Sequence, residues 1–293
     1  LLYHTCMNDQ TKDLLKIHIS VFLLGLTGVF GKFITLPAPY IVLGRVFFAS
    51  LAILLLYKLR GVNIKIASVR DRLLTCFTGA ILALHWTAFY QSVQVSTVAI
   101  AVLTFSAYPI FVTFAEPFMF HEKLRKIDIL SSFLILAGVV LIVPAFNISN
   151  SMTIGFLWGM LSSVAFAMTS LMNRNFASSY SGTLIALYEQ GAATIVLLPI
   201  LLLRPIPQFD ANNILLLVLL GVVFTGCAHS LFISGLKTIR AQTGGVIASL
   251  ESVYGVISSV LLVGEIPSVK ECIGGALIIG TVLILTMCAS TKE

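Results

Sequence analysis

TVAIAVLTFSAYPIFVTFAEPFM, residues 97–119, decides the fold. Its one charged residue is Glu116, near the end, and everything before it is apolar, small or hydroxylated. At about 1.5 Å per helical residue such a run crosses a hydrocarbon core of roughly 30 Å. A backbone placed in hydrocarbon must satisfy its own hydrogen bonds, so the run is expected to be helical. Working outward, the same pattern recurs at 17–35, 39–58, 72–92 and 128–146, then at 153–174, 183–203, 212–236, 243–263 and 270–288. Charged or Pro-rich breaks separate the runs, among them Lys58-Leu59-Arg60-Gly61, His121-Glu122-Lys123-Leu124-Arg125-Lys126 and Arg204-Pro205-Ile206-Pro207. The shortest break is Val93–Ser96.

Composition agrees. Of 293 residues 58% are hydrophobic and 10% charged, with a mean hydropathy of +1.02. A soluble domain carries about a quarter charged residues, so a soluble globular fold is excluded. The first apolar run leads straight into the next and is not expected to be a cleaved signal peptide. Met7-Asn8-Asp9 resembles a translation start, so Leu1–Cys6 are expected to be an upstream extension.

Lysine and arginine set the expected orientation. With a cytoplasmic N-terminus, Lys12, Lys16, Lys58, Arg60, Lys65, Arg70, Arg72, Lys123, Arg125, Lys126, Arg174, Lys237, Arg240 and Lys292 fall inside, whereas Lys32, Arg204 and Lys270 fall outside. This positive-inside bias places both termini in the cytoplasm. The net charge of +6 therefore expresses topology, and nucleic acid is not an expected partner.

The two halves match at a nearly constant offset. Glu122 and Glu265 lie 143 positions apart, each before a Gly-rich span, and the segment at Arg45 aligns with the segment at Glu189 at an offset of 144. Five spans per half is an odd number, so the second half enters the membrane upside down. The expected fold is an all-α integral membrane protein of about ten transmembrane helices in two inverted five-helix repeats. The repeats cover 17–146 and 153–288, between a cytoplasmic N-terminal segment 1–16 and a tail 289–293.

Phe-His-Glu122-Lys, Val-Gly-Glu265-Ile-Pro, Arg45 early in the second span and Leu250-Glu251-Ser252-Val253-Tyr254 in the ninth carry a family resemblance. The chain resembles the EamA-like branch of the drug/metabolite transporter superfamily from about residue 17 to 288. The resemblance implies a ten-span carrier of the bacterial inner (cytoplasmic) membrane, often an exporter of amino acids or related metabolites. Ser252 stands where many relatives carry Pro, and Pro109 holds the matching position in the fourth span.

An ionisable group inside a span is costly and therefore a functional candidate. Glu251 lies near mid-depth in the ninth span, with Tyr108 as its counterpart in the fourth. It is a candidate for substrate or proton binding, or for a structural hydrogen bond. Gly244, Ala248, Gly255 and Ser259 give that helix one face of little bulk, to line a cavity or admit a neighbouring helix. Arg45 suits a carboxylate, with snorkelling to the outer interface as the alternative. Depth places Arg45 and Glu189 about 12 Å apart along the normal of a 30 Å core, to guard opposite entrances or to contact different ends of a larger substrate. For Glu189 a polar neighbour is the alternative. Trp86, Tyr108 and Tyr254 are candidates for an aromatic wall, or for ordinary packing. His85 and His229, beside Glu251, are candidates for a coupling proton. Glu116 is expected to cap a helix or pair with Lys123, and Glu122 and Glu265 to pin the repeats.

No GxxxxGK[ST] loop is present, and the five cysteines (Cys6, Cys76, Cys227, Cys272 and Cys288) show no CxxC spacing. Neither nucleotide, metal nor other cofactor is expected. Asn147-Ile148-Ser149 is a glycosylation sequon, discounted in a bacterial setting. No nucleophile–base cluster marks an enzyme. The expected function is secondary transport of a small metabolite by alternating access, of an amino acid or, alternatively, a nucleoside-type or cationic compound. A passive channel is the other alternative. The expected surroundings are the lipid bilayer, with a homodimer left open.

Overall fold

A computed structural model describes residues 2–121, 123–124, 126–142, 149–203 and 205–290. Glu122, Arg125, Arg204, Lys292 and Asn147 of the sequon lie outside the described residues, as do the side chains of Cys6 and Cys288. Every described element is a helix.

The first half holds α1 (Leu2–Gly25), α2 (Thr27–Phe33), α3 (Ala38–Leu59), α4 (Val69–Val95), α5 (Val98–Phe105), α6 (Tyr108–Phe120) and α7 (Lys126–Ile142). The second holds α8 (Ser151–Ala177), α9 (Gly182–Leu203), α10 (Ala211–Gly221), α11 (Ala228–Gly235), α12 (Ala241–Ala248), α13 (Leu250–Ser258) and α14 (Val269–Ser290). A π-helical turn, Val222–Cys227, joins α10 to α11, and a second, Ser259–Val263, follows α13. Polar N-caps set several starts. Ser68 accepts from Asp71 N, Thr97 from Ile100 N, Asn150 from Met152 N and Asp210 from Asn213 N.

Eight helical stretches among the described residues are long and apolar enough to cross a bilayer, from Asp9–Phe33 to Thr243–Val263. The expected fifth and tenth spans correspond to α7 and α14, which are not among those eight. These two pack on each other, with Gly138 against Gly274 and Ile278. Large apolar side chains stand exposed around the bundle, including Phe22, Phe47, Leu73, Phe77, Phe133 and Leu261. In water such a surface would drive aggregation, whereas acyl chains solvate it. Inside, hydroxyls tie helices together: Ser20 Oγ donates to Ala228 O and Ser92 Oγ to Gly155 O, both at 2.7 Å.

The fourth and ninth expected spans are each interrupted. α5 gives way to α6 at Ser106-Ala107, and α12 to α13 at Ser249. Ser106 and Ser249 are 143 positions apart. The ninth span therefore breaks without a proline at 252. Hydroxyls bind the groups freed there: Ser163 Oγ donates to Phe105 O at 2.7 Å, Ser106 Oγ to Ser252 Oγ at 2.8 Å, and Ser252 Oγ to Ser249 O. Both spans also end on a left-handed residue, His121 (φ 53°) and Gly264 (φ 75°), again 143 apart. Gly264 tolerates that conformation without cost, whereas His121 adopts one that L-residues seldom do.

Candidate functional site

Arg45 is wholly buried on α3, so the snorkelling alternative is excluded. Its Nε donates to Thr225 Oγ1 at 2.8 Å and its Nη1 to Tyr90 OH at 2.9 Å. The guanidinium carbon sits 3.6 Å from the Trp86 ring centroid and 5.4 Å from that of Tyr90. Nη2 has no hydrogen-bond partner. Two local features create this arrangement. The π-helical turn lets Thr225 Oγ1 reach Leu220 O, five residues back, at 2.7 Å. Gly221 lets that helix touch α3, because a Cβ there would lie 2.7 Å from Arg45 O and 2.7 Å from Phe48 Cβ.

Trp86 belongs to an aromatic cluster that continues inward. The His85 ring lies 4.5 Å from Trp86, 5.2 Å from Phe105 and 4.8 Å from Phe166, centroid to centroid. Tyr108 stacks on Phe105 at 5.1 Å and meets Phe166 edge-on at 4.9 Å. Ser162 fixes His85, with its Oγ 2.8 Å and its O 3.0 Å from Nδ1. Four polar atoms of this cluster are buried without partners: Arg45 Nη2, Trp86 Nε1, His85 Nε2 and Tyr108 OH. Arg45 Nη2 and Trp86 Nε1 are hydrogen-bond donors only. Glu251, 3% exposed on α13, lies within electrostatic range of Arg45, Tyr90 and Tyr108. The guanidinium's hydrogen-bond and ring partners are all neutral, and a buried charge of this kind is costly unless a ligand or counter-charge completes it.

Glu189 and His229 form a separate unit. His229 Nε2 stands 2.8 Å from Glu189 Oε2, and Asn173 Nδ2 donates to the same oxygen at 3.4 Å. Both residues are buried, as is Arg45. Glu189 takes the polar-neighbour alternative. Its backbone is held where Gly79 of α4 packs against it, a Cβ there falling 2.4 Å from Glu189 O.

Tyr254 does not join the aromatic wall. It packs against Gly25 of α1 and meets Phe22 edge-on at 5.3 Å. The small face of the ninth span likewise serves close packing: Gly255 lies against Val102 and Gly25, and Gly244 against Leu236. Tyr90, Thr225, Phe105 and Phe166 were not singled out from sequence. Tyr90 had a signal, since it follows Trp86 by four and shares its helical face. Phe105 and Phe166 had none, because an aromatic in an apolar run is invisible among its neighbours. Among the described residues no cluster of three His, Cys, Asp or Glu offers a metal site.

Two ion pairs mark the ends of the bundle. Lys32 Nζ lies 3.1 Å from Glu265 Oε1, while Glu265 Oε2 accepts from Val98 N at 3.0 Å. Arg174 Nη1 lies 2.6 Å from Glu116 Oε1, which also accepts from Ala241 N at 3.0 Å, with Arg240 Nη2 3.5 Å from Oε2. Glu116 thus caps a helix, as expected, and pairs with Arg174 and Arg240.

These features define a polytopic helical membrane protein with a charged, aromatic centre. The EamA-like transporter family model matches it twice, over residues 12–143 and 153–287, and the chain belongs to that family, within the drug/metabolite transporter superfamily. It is 25% identical over 273 residues to the uncharacterized transporter YxxF of Bacillus subtilis (strain 168), covering 91% of this chain and 86% of that one. An uncharacterized transporter of Archaeoglobus fulgidus is 25% identical over 197 residues, 67% of this chain and 70% of its own. A solved crystal structure with 19% identity superposes with a TM-score of 0.75 over 98% of this chain and 99% of the other, a likeness of fold. The chain is a membrane transporter by family.

Proposed function

We propose that this transporter is a secondary carrier of a small carboxylate-bearing metabolite, such as an amino acid, working by alternating access across the bacterial cytoplasmic membrane. The observation that carries the reading is Arg45: a buried guanidinium with a free Nη2, seated on Trp86 and within electrostatic range of Glu251. A planar guanidinium matches a carboxylate. Trp86 Nε1 and Tyr108 OH supply further polar groups, and Glu251 suits an ammonium. Phe105 and Phe166 offer apolar surface to the rest of the molecule. The proposed topology is ten spans in two inverted five-span halves with both termini cytoplasmic. The offsets of 143 between the helix breaks and between the left-handed ends support the repeat, and the distribution of Lys and Arg supports the orientation.

The test is a thermal-shift screen of the purified protein against amino acids, nucleosides and organic cations, followed by counterflow of any hit in proteoliposomes. A ligand bound only by the folded state raises the melting temperature. A carboxylate hit that Arg45→Gln abolishes, with saturable trans-stimulated flux, is the expected result. A cation hit indifferent to Arg45 would overturn the substrate class. Linear flux unaffected by trans substrate would replace the carrier with a passive facilitator.

A further inference from the structure

The two ion pairs at the ends of the bundle share one construction. Lys32 and Arg174 lie 142 positions apart, and Val98 and Ala241 lie 143 apart. At one end, Glu265 of the second half is clasped by Lys32 and by the first N–H of α5, both from the first half. At the other, Glu116 of the first half is clasped by Arg174 and by the first N–H of α12, both from the second half. In each case an acid of one half closes on a cation and a helix N-terminus of the other, a pairing that both the charge and the helix dipole favour. The ends are far apart: α8 starts beside the first clasp, where Ser92 meets Gly155, and runs from Gly155 to Arg174 of the second over about 28 Å of helix.

We infer that these clasps are the two gates of the transport cycle. Lys32–Glu265 seals one face and Arg174–Glu116 the other, and each opens while its counterpart stays shut. This inference rests on the alternating-access reading and adds the residues that enforce it. Both clasps are closed here, and the Arg45 cluster between them is buried, as an occluded state requires. The broken helices give the clasps something to move. α5 and α12 each start at a clasp and stop at a break, Ser106 or Ser249, beside the central residues Tyr108 and Glu251. Releasing a clasp frees the outer end of a short helical segment whose inner end abuts the site. The match is inexact in one respect. Glu116 lies six positions before Glu122, the counterpart of Glu265, and is the more deeply buried acid, with 1% of its side chain exposed against 19% for Glu265.

The clasp amides report their own state, so hydrogen–deuterium exchange of the full chain in nanodiscs tests the inference without any substrate. Glu265→Gln and, independently, Lys32→Gln are expected to speed exchange at least tenfold at Val98 and also at the Ser106 and Ser249 breaks, where water enters. Ala241 should keep its protection. Glu116→Gln should do the reverse, exposing Ala241 and the breaks while Val98 stays protected. Lys32→Arg should behave as wild type. Faster exchange at Val98 or Ala241 alone, with protected breaks, would reduce the clasps to helix caps and overturn the inference. So would loosening of both ends together, or no change at either. Since no substrate is added, any of these failures is separate from a failure of carboxylate counterflow in the wild-type protein.

Discussion

The guanidinium carbon of Arg45 lies over Trp86, 3.6 Å from the ring centroid, the two residues coming from α3 and α4. A desolvated cation–π contact of this kind contributes about 2 kcal/mol. It orients the guanidinium without using its hydrogen atoms. Thr225 and Tyr90 occupy Nε and Nη1, and Nη2 is left without a hydrogen-bond partner.

Replacing Trp86 by Leu should therefore weaken ligand binding more than it disturbs the fold. A loss of about 1.4–2 kcal/mol corresponds to roughly a 10- to 30-fold rise in Kd. Arg45→Lys keeps the charge but loses the planar fork and should be at least as damaging. Isothermal titration with the ligand found by thermal shift measures both. An unchanged Kd in either variant would remove Arg45 from the binding site.

The end-of-bundle acids should differ in their effect on stability. Glu116 is buried between Arg174 and Arg240 and caps α12, so Glu116→Gln breaks a buried network at a cost of about 3 kcal/mol. Glu265 is partly exposed beside Lys32, and Glu265→Gln should cost about 1 kcal/mol or less. Reversible denaturation in detergent compares them directly. Equal losses would contradict the difference in burial.

Close helix approach predicts an unequal response among glycines. Gly79→Ala places a methyl 2.4 Å from Glu189 O and 2.9 Å from Ala192 Cβ, and α4 must move away from α9. Overpacking of this sort costs about 1–3 kcal/mol. Gly191→Ala meets nothing within 4 Å and should be neutral or slightly stabilising, because alanine favours the helix. Thermal unfolding of the two variants is sufficient to check this.

How far the sequence spoke depended on whether a feature was local. Span positions follow from apolar runs and punctuation visible one segment at a time, and the offset from comparing the two halves, whereas the break at Ser249 carries no such mark, since no proline stands at 252. Glu251, Arg45, Trp86 and Tyr108 were accessible because a charge or a large aromatic stands out against an apolar run. Their grouping was not. Arg45 meets Trp86 and Thr225 through contacts between α3, α4 and the π-helical turn, and no spacing rule links positions 45, 86 and 225. Depth along the helix said nothing of the close approaches at Gly79 and Gly221 that pack α4 against Glu189 and the π-helical turn against Arg45. Tyr254 failed as a wall residue for a related reason: it shares a helix with Glu251 but faces α1.

The Glu189–His229 pair offers the sharpest energetic contrast. His229→Ala strands the Glu189 carboxylate in the interior with Asn173 as its remaining partner at 3.4 Å, and should cost about 3–5 kcal/mol. Replacing both partners, as Glu189→Leu with His229→Leu, removes the stranded charge together with its need for a partner. The double variant should therefore be more stable than His229→Ala, even though more polar contacts are lost. Denaturation midpoints of the wild type, Glu189→Leu, His229→Leu and the double variant form a complete cycle, with His229→Ala measured beside it. If the double variant is the least stable of the four, the pair contributes net stability to the bundle, and its polar contacts outweigh the cost of burying them.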